Sequence, residues 1–185
     1  MNKQNAFFTL RVILIIFVVI LSGTKIYAQS TEDRVKEIRK MYADVNQFHK
    51  AGRGFDCQKG STRNRAEVEY SNDIYTQRAN RCYYPNSYSK LSLNFEGWEW
   101  AADGEYYYKD GRLFFVYLVM NSVCGKRTYR LYYNTSGRII RLLQQADDCS
   151  EEVQGKNVEI YSSSEIRDIS DDVNKYLRRA QSMIN

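Results

Sequence analysis

Apolar residues recur every three or four positions in two segments of the chain, one towards each end. In residues 31–50 the recurring positions are Val35, Ile38, Met41, Tyr42, Val45 and Phe48. In the C-terminal segment they are Ile166, Ile169, Val173, Tyr176, Leu177, Ala180 and Ile184. Ser162, followed three residues later by Glu165, fits a capping box at the start of the second segment. The spacing predicts two amphipathic helices, each with one apolar side that must be buried.

The chain between these helices has the patterns of β-strands. Apolar and polar residues alternate from Lys90 to Phe95, which is typical of a strand with one face in water. The run from Leu113 to Met120 is apolar at nearly every position. Such a run predicts a central strand that is covered on both faces.

A pair of adjacent tyrosines recurs at intervals of 24 and 25 residues, at 83–84, 107–108 and 132–133. Each pair is followed by turn residues and then by another apolar strand, so each unit predicts one hairpin. Three hairpins give an α+β fold, an antiparallel β-meander of about six strands flanked by an N-terminal and a C-terminal amphipathic helix. With a single proline and no Ser/Gly-rich linker, residues 29–185 are expected to form one domain.

The first 28 residues have the composition of a secretory signal peptide. Lys3 and Arg11 give a positive start, Val12–Leu21 is unbroken apolar sequence, and Ala28 provides a small residue for cleavage. A spanning helix would need about 20 apolar residues, twice the length of this run. We therefore expect cleavage after Ala28, export to the periplasm or the cell exterior, and no stable membrane anchor after cleavage. The alternative is an uncleaved membrane anchor.

Four cysteines in a chain expected to be exported predict two disulfides. In the predicted meander, the loop that holds Cys124 and the end of the strand before Cys149 lie at the same edge of the sheet. This geometry predicts Cys124–Cys149 and leaves Cys57–Cys82. A zinc site needs closely spaced cysteines or clustered histidines, and the chain has one histidine, His49. We predict no metal and no cofactor.

The charge of the chain argues against nucleic acid as a partner. Loss of the leader removes three basic residues and no acid, which lowers the net charge from +5 to +2. The remaining basic residues are interleaved with acids, whereas nucleic-acid binding concentrates positive charge along phosphates. We interpret Arg63, Arg65, Arg78 and Arg81 as one face of an exposed loop, and the alternative is an anion site.

Sequence motifs for nucleophilic, zinc-dependent and nucleotide-dependent catalysis are absent from the chain. We therefore predict no catalytic residues and a non-enzymatic binding protein of the cell envelope or exterior, with a protein or glycan partner. The alternative is a hydrolase of envelope polymers that uses carboxylates near Trp98 and Trp100. Those carboxylates are Glu96, Glu99, Asp103 and Glu105.

Aromatic residues make up 14% of the chain, and sixteen of them are tyrosines. Tyrosine suits recognition surfaces because its ring is apolar and its hydroxyl forms hydrogen bonds. It is also common in β-strands, so most of these residues are expected to belong to the sheet. The candidate contact face consists of aromatics in or beside turns: Tyr83, Tyr84, Tyr88, Trp98, Trp100, Tyr106 and Tyr108.

Residues 105–118 and 129–143 resemble paired hairpins of small exported bacterial proteins of unassigned function, in which Tyr-Tyr precedes Gly-Arg. The similarity lies within a span of about 40 residues, 105–143, and is structural, so it implies no catalytic residue. The order of helix and meander also resembles periplasmic domains related to the β-lactamase inhibitor fold. That likeness implies an architecture and nothing about function.

Overall fold

The computed structural model describes residues 31–65, 74–97, 100–148 and 155–184. The predicted signal peptide, residues 1–28, lies outside the described residues. The chain divides into two units between Glu37 and Ile38, and all the strands belong to the second unit. Within the described ranges no helix has the length and apolar character needed to cross a membrane.

Both predicted helices are present. Helix α1 spans residues 31–50, and helix α2 spans Ser163–Ile184. Gly52 follows α1 with a φ of 65°, the left-handed conformation in which glycine commonly ends a helix. At the start of α2 the Glu165 N–H donates to Ser162 Oγ over 3.5 Å, as expected for the N-cap half of a capping box.

The predicted antiparallel meander is also present, but among the described residues it has eight strands instead of six. The strands are β1 (Phe55–Arg65), β2 (Ile74–Tyr84), β3 (Tyr88–Glu96), β4 (Trp100–Lys109), β5 (Arg112–Ser122), β6 (Gly125–Tyr133), β7 (Ile139–Asp148) and β8 (Asn157–Glu159). Each strand pairs with its neighbours in sequence. The two strands that the sequence did not predict, β1 and β8, lie at the edges of the sheet. Edge strands bury few side chains, and these two are mostly polar.

The predicted turns close the hairpins. Asp110 and Gly111 connect β4 to β5 with φ values of 50° and 75°, the left-handed pair that a two-residue hairpin of right-handed twist requires. Between β6 and β7 the Asn134 Oδ1 accepts hydrogen bonds from the N–H groups of Ser136 (3.1 Å) and Arg138 (2.9 Å). This local bonding explains why Asn is suited to the start of that turn.

The two helices cover opposite faces of the sheet, as two adjacent tyrosines show. The Tyr106 hydroxyl donates to the Val173 carbonyl of α2 over 3.1 Å. The next residue, Tyr107, points the other way, and its hydroxyl lies 3.2 Å from Asn46 Oδ1 of α1. We call the first side of the sheet the α2 face and the second the α1 face.

The α2 face holds the main hydrophobic core. Residues from β2 to β7 pack there against Ile169, Val173, Tyr176 and Ala180 of α2. The end of α2 approaches β1 so closely at Gly60 that an added Cβ would collide with the backbone of Met183. Glycine at position 60 is therefore required by the packing of the helix on the sheet.

The repeated tyrosine pairs each place one ring on each face. Tyr84, Tyr107 and Tyr132 lie on the α1 face at the ends of β2, β4 and β6. Residues 38–50 of α1 pack over these rings, and Tyr42 makes edge contacts with both Tyr107 and Phe115 at 5.1 Å between centroids. The repeated tyrosine pairs therefore supply the rings on which residues 38–50 of α1 pack.

Candidate functional site

Residues 38–50 of α1 pack over one end of the α1 face, near Tyr84, Tyr107 and Tyr132. Beyond that end, strands β1 to β6 form an open cup with a volume of about 820 Å³. Most of the residues that line the cup have polar side chains: Lys59, Ser61, Arg78, Asn80, Ser92, Asn94, Asp103, Glu105, Tyr117, Asn121 and Lys126. The other lining residues are Gly60, Ala79, Leu93, Gly104 and Val119.

The strand register explains why these side chains meet. One row of directly paired residues crosses the sheet as Lys59, Asn80, Ser92, Glu105 and Tyr117. The adjacent row on the same face is Ser61, Arg78, Asn94, Asp103 and Val119. Paired residues on one face of an antiparallel sheet lie about 5 Å apart at Cβ, so each row is continuous.

Glu105 is held at the boundary between the cup and the part covered by α1. Its Oε1 lies 2.5 Å from Lys90 Nζ, and its Oε2 accepts a hydrogen bond from the Tyr107 hydroxyl over 2.6 Å. Lys90 is only 7% exposed, and its ammonium lies 5.2 Å from the centre of the Tyr107 ring. This carboxylate is therefore fixed by a buried cation and a hydroxyl.

Burial raises the pKa of Tyr107, and the negative charge of Glu105 raises that pKa further. The hydroxyl therefore keeps its proton and acts as the donor to Glu105. Burial, followed by the Glu105 charge, also raises the pKa of Tyr42. The region beneath α1 thus presents neutral, hydrogen-bonding tyrosines around one carboxylate.

The second row of the cup floor contains an amide and a carboxylate in contact. Asn94 Nδ2 donates to Asp103 Oδ1 over 2.9 Å. The Asn94 Oδ1 is buried and has no hydrogen-bond partner among the described residues. At the rim, Arg78 forms an exposed ion pair with Glu96 at 3.5 Å. The floor therefore retains unused capacity for hydrogen bonds.

The structure does not bring the predicted contact aromatics onto one surface. Tyr84 and Tyr88 are buried on the α1 face, and Tyr106 is fully buried on the α2 face. Tyr83 and Tyr108 are partly buried. Trp100 is 40% exposed and stacks on Phe95 with 4.1 Å between ring centroids. Trp98 lies outside the described residues.

The Cys57–Cys82 disulfide predicted from the sequence is present and joins β1 to β2. Cys57 lies within an irregularity of β1, between Phe55 and Gln58, where the register of pairing with β2 shifts. Cys124 is exposed near the turn between β5 and β6. The Cys124–Cys149 disulfide stays a prediction because Cys149 lies outside the described residues.

The carboxylates considered for hydrolysis are dispersed. Asp103 and Glu105 both line the cup, whereas Glu96 pairs with Arg78 and Glu99 lies outside the described residues. His49 is exposed at the end of α1, and its Nδ1 lies 2.9 Å from the Tyr84 hydroxyl. Within the described ranges, no group of three or more His, Cys, Asp or Glu residues is placed to hold a metal ion.

The sequence contained a partial signal for the cup. The polar positions that alternate along β3, Ser92 and Asn94, were expected to face water, and they form the cup floor. The interpretation of four arginines as loop residues was wrong, because Arg63 and Arg65 lie on β1 and Arg78 and Arg81 lie on β2. Between Thr76 and Arg81, β2 has one apolar residue, Ala79, so its periodicity was weak.

Comparisons with protein-family models, curated proteins and solved structures find no match for this chain. The similarity of residues 105–118 and 129–143 to hairpins of small exported proteins stays a prediction. The function must therefore be inferred from the geometry of the cup and of the residues that support it.

Proposed function

We propose that this protein is a non-enzymatic binding protein of the cell envelope or exterior, and that the cup is its binding site. The observation that carries the proposal is the convergence of polar side chains from six strands on the open part of the α1 face. Binding sites for small molecules and cofactors are concave and have volumes of about 300–1,000 Å³. The volume of the cup, about 820 Å³, falls within that range.

The strands that form the floor of the cup are held in place, which favours binding without a large rearrangement of the backbone. This floor consists of paired strands whose opposite face packs against α2. The backbone of such a floor needs no rearrangement when a ligand arrives, which reduces the entropic cost of binding. The Cys57–Cys82 disulfide adds a covalent link between the two strands that carry Lys59 and Arg78.

Two features support a location outside the cytoplasm. The first 28 residues have the sequence of a signal peptide. The disulfide between Cys57 and Cys82 is of a kind that persists in oxidising compartments.

Hydrolysis of envelope polymers is the second candidate, because Asp103 and Glu105 occupy neighbouring positions on the same face within the cup. Such hydrolases need one carboxyl that retains a proton and one that is free to attack or to activate water. Both oxygens of Glu105 are engaged by Lys90 and Tyr107, and Asp103 accepts from Asn94. These contacts favour the binding function.

Blocking the cup tests the proposed function. Ser92 is a small residue between Asn80 and Glu105 in the cup floor, and tyrosine is well tolerated in strands. We expect immobilised wild-type protein to retain a compound from bacterial envelope extract, and Ser92→Tyr to lose it. The matched control is Ser182→Tyr on the exposed side of α2, which should retain the compound.

Mass spectrometry of the retained material and circular dichroism of each variant provide the readouts. Equal retention by Ser92→Tyr and the wild type would exclude the cup as the binding site. Cleavage of the retained polymer by the wild type, lost in Glu105→Gln or Asp103→Asn, would replace the binding function with the hydrolase.

A further inference from the structure

The charges of the cup alternate across the sheet instead of forming one region of a single sign. Lys59 and Arg78 lie on the side of β1 and β2, and Lys126 lies on β6. Asp103 and Glu105 lie between them on β4. A strongly anionic ligand would be repelled by the central carboxylates. A strongly cationic ligand would be repelled by the ammonium and guanidinium groups on both sides.

We propose that the ligand of the cup is a hydroxyl-rich carbohydrate, an inference that rests on the proposed binding function. A sugar hydroxyl both donates and accepts hydrogen bonds, so it matches carboxylates as well as ammonium and guanidinium groups. A neutral or weakly charged glycan therefore avoids the repulsion that either charged ligand would meet. Hydrogen bonds would let the cup discriminate between the carbohydrate and analogues that lack its hydroxyls, because such analogues leave polar groups of the site unpaired.

Three asparagines strengthen the match with vicinal hydroxyls. Asn80, Asn94 and Asn121 line the cup, and each amide offers two donor hydrogens and one acceptor oxygen in a plane. The Asn94 oxygen has no partner within the described structure. A rotation of the Asn94 side chain that exposed this oxygen to a donating ligand hydroxyl would remove the cost of an unpaired buried acceptor.

The β5 side of the cup supplies an apolar surface. Tyr117 and Val119 are two residues apart on the same face, next to Glu105 and Asp103 in the register. The guanidinium of Arg130 lies 5.6 Å from the centre of the Tyr117 ring. A sugar ring presents apolar C–H groups on its faces and hydroxyls around its edge, so it fits an aromatic side chain beside polar groups.

An extended peptide fits the cup less well than a glycan does. Peptide strands bind sheets mainly by main-chain hydrogen bonds to an unpaired edge. The cup lies on the face of the sheet, where the backbone groups of β2 to β5 are already paired between strands. The contacts that remain for a ligand there are those of the side chains.

An array of immobilised glycans, with neutral, amino and uronic sugars, tests the inference. We expect the wild type and Ser182→Tyr to bind one glycan class, and Ser92→Tyr to lose that signal. Asn94→Leu, which keeps the size of the side chain but removes its amide, should weaken binding about tenfold. Circular dichroism and thermal unfolding show whether each variant is folded, and Asn121→Leu replaces Asn94→Leu if the latter is not.

Salt dependence separates hydroxyl recognition from attraction between charges. Raising the salt concentration from about 0.05 to 0.5 M should change the affinity for the bound glycan by less than about threefold, because hydroxyl contacts are not screened. A loss of more than about tenfold would indicate a polyanionic ligand and would contradict the inference.

The outcomes separate failure of the carbohydrate inference from failure of the proposed binding function. If the wild type binds no glycan but still retains a peptide or a charged metabolite from envelope extract in a manner that Ser92→Tyr abolishes, the carbohydrate inference is wrong and the binding function holds. If neither the array nor the extract yields a ligand that depends on the open cup, both are wrong.

Discussion

The two faces of the sheet differ in what covers them and in the side chains that they present. The α2 face is apolar, and Leu91, Leu93 and Phe95 of β3 lie there in a continuous core with α2. The alternate residues of the same strand lie on the α1 face, where Lys90 is buried and Ser92 and Asn94 line an open cup. A single strand thus contributes to both a dry and a wet surface.

The difference shows how one face of a sheet can be left polar without loss of the fold. Burial of apolar area is the main stabilising contribution, and in this protein much of it lies on the α2 face. Residues 38–50 of α1 add a second, smaller cluster over Tyr84, Tyr107 and Tyr132. The stability of the fold therefore does not require the remaining side chains of the α1 face to be apolar.

Substitution of two adjacent residues on β3 gives the sharpest contrast between the faces. Leu93 is 3% exposed in the core, so Leu93→Ala should lower the free energy of unfolding by about 2–5 kcal/mol. Ser92→Ala, in the cup, should change it by less than about 0.5 kcal/mol. Denaturant unfolding measures both values. Similar losses for the two variants would show that the faces do not differ in this way.

Removal of the disulfide tests how much this crosslink between β1 and β2 stabilises the edge of the sheet. Cys57 and Cys82 are 25 residues apart, and loss of a crosslink that closes such a loop should cost about 3 kcal/mol. The measurement is denaturant unfolding of a Cys57→Ala, Cys82→Ala double variant against the oxidised wild type. Unchanged stability would indicate that the pairing of β1 with β2 needs no covalent support.

The Lys90–Glu105 pair should respond unequally to the loss of either partner. Glu105→Ala leaves a nearly buried ammonium without its anion and should cost about 2–3 kcal/mol, less than a fully buried pair because Glu105 retains solvent contact. Lys90→Met leaves a carboxylate that faces the cup and should cost about 1 kcal/mol. The reverse order in unfolding measurements would contradict the described placement of the two groups.

Alkaline pH should weaken the fold through its buried tyrosines. Burial raises the pKa of Tyr108 and of Tyr176 to about 12, above the ordinary value of 10.0. Below pH 10 these tyrosines are protonated in both states, so their stabilising contribution is complete. Above pH 10 the unfolded chain loses protons that the folded protein keeps, and stability falls as the pH rises towards 12.

Two phenylalanine variants on the α2 face provide the control for that pH dependence. The Tyr108 hydroxyl is buried without a hydrogen-bond partner in the described part of the chain, so Tyr108→Phe should be neutral or slightly stabilising at pH 7. The same variant should also reduce the loss of folding stability above pH 10. Tyr106→Phe removes the bond to Val173 and should cost about 1 kcal/mol at pH 7. Identical pH profiles for wild type and Tyr108→Phe would contradict the expected titration.

Helices and hairpins were predictable because their signals are local. The spacing of apolar residues gave α1 and α2, and turn residues such as Asp110-Gly111 gave the hairpins. Edge strands β1 and β8 lack apolar alternation, so the expected six strands became eight.

The cup was not predictable in the same way, because it depends on the pairing register of six strands. Asn80, Ser92 and Glu105 are far apart in sequence and meet only when β2, β3 and β4 are aligned. The turn aromatics failed to form one surface for a related reason. Adjacent residues such as Tyr106 and Tyr107 point to opposite faces, and proximity to a turn does not decide which face is open.

Backbone amide NMR of the wild type, titrated with a soluble glycan fraction from bacterial cell envelopes, tests the central claim most directly. The account predicts saturable shifts at the residues that line the cup, 59–61, 78–80, 92–94, 103–105, 117–121 and 126, and small changes in α2. Saturable shifts confined to α2 would contradict the assignment of binding to the open part of the α1 face, and the absence of any saturable shift would contradict the inference that the ligand is a carbohydrate.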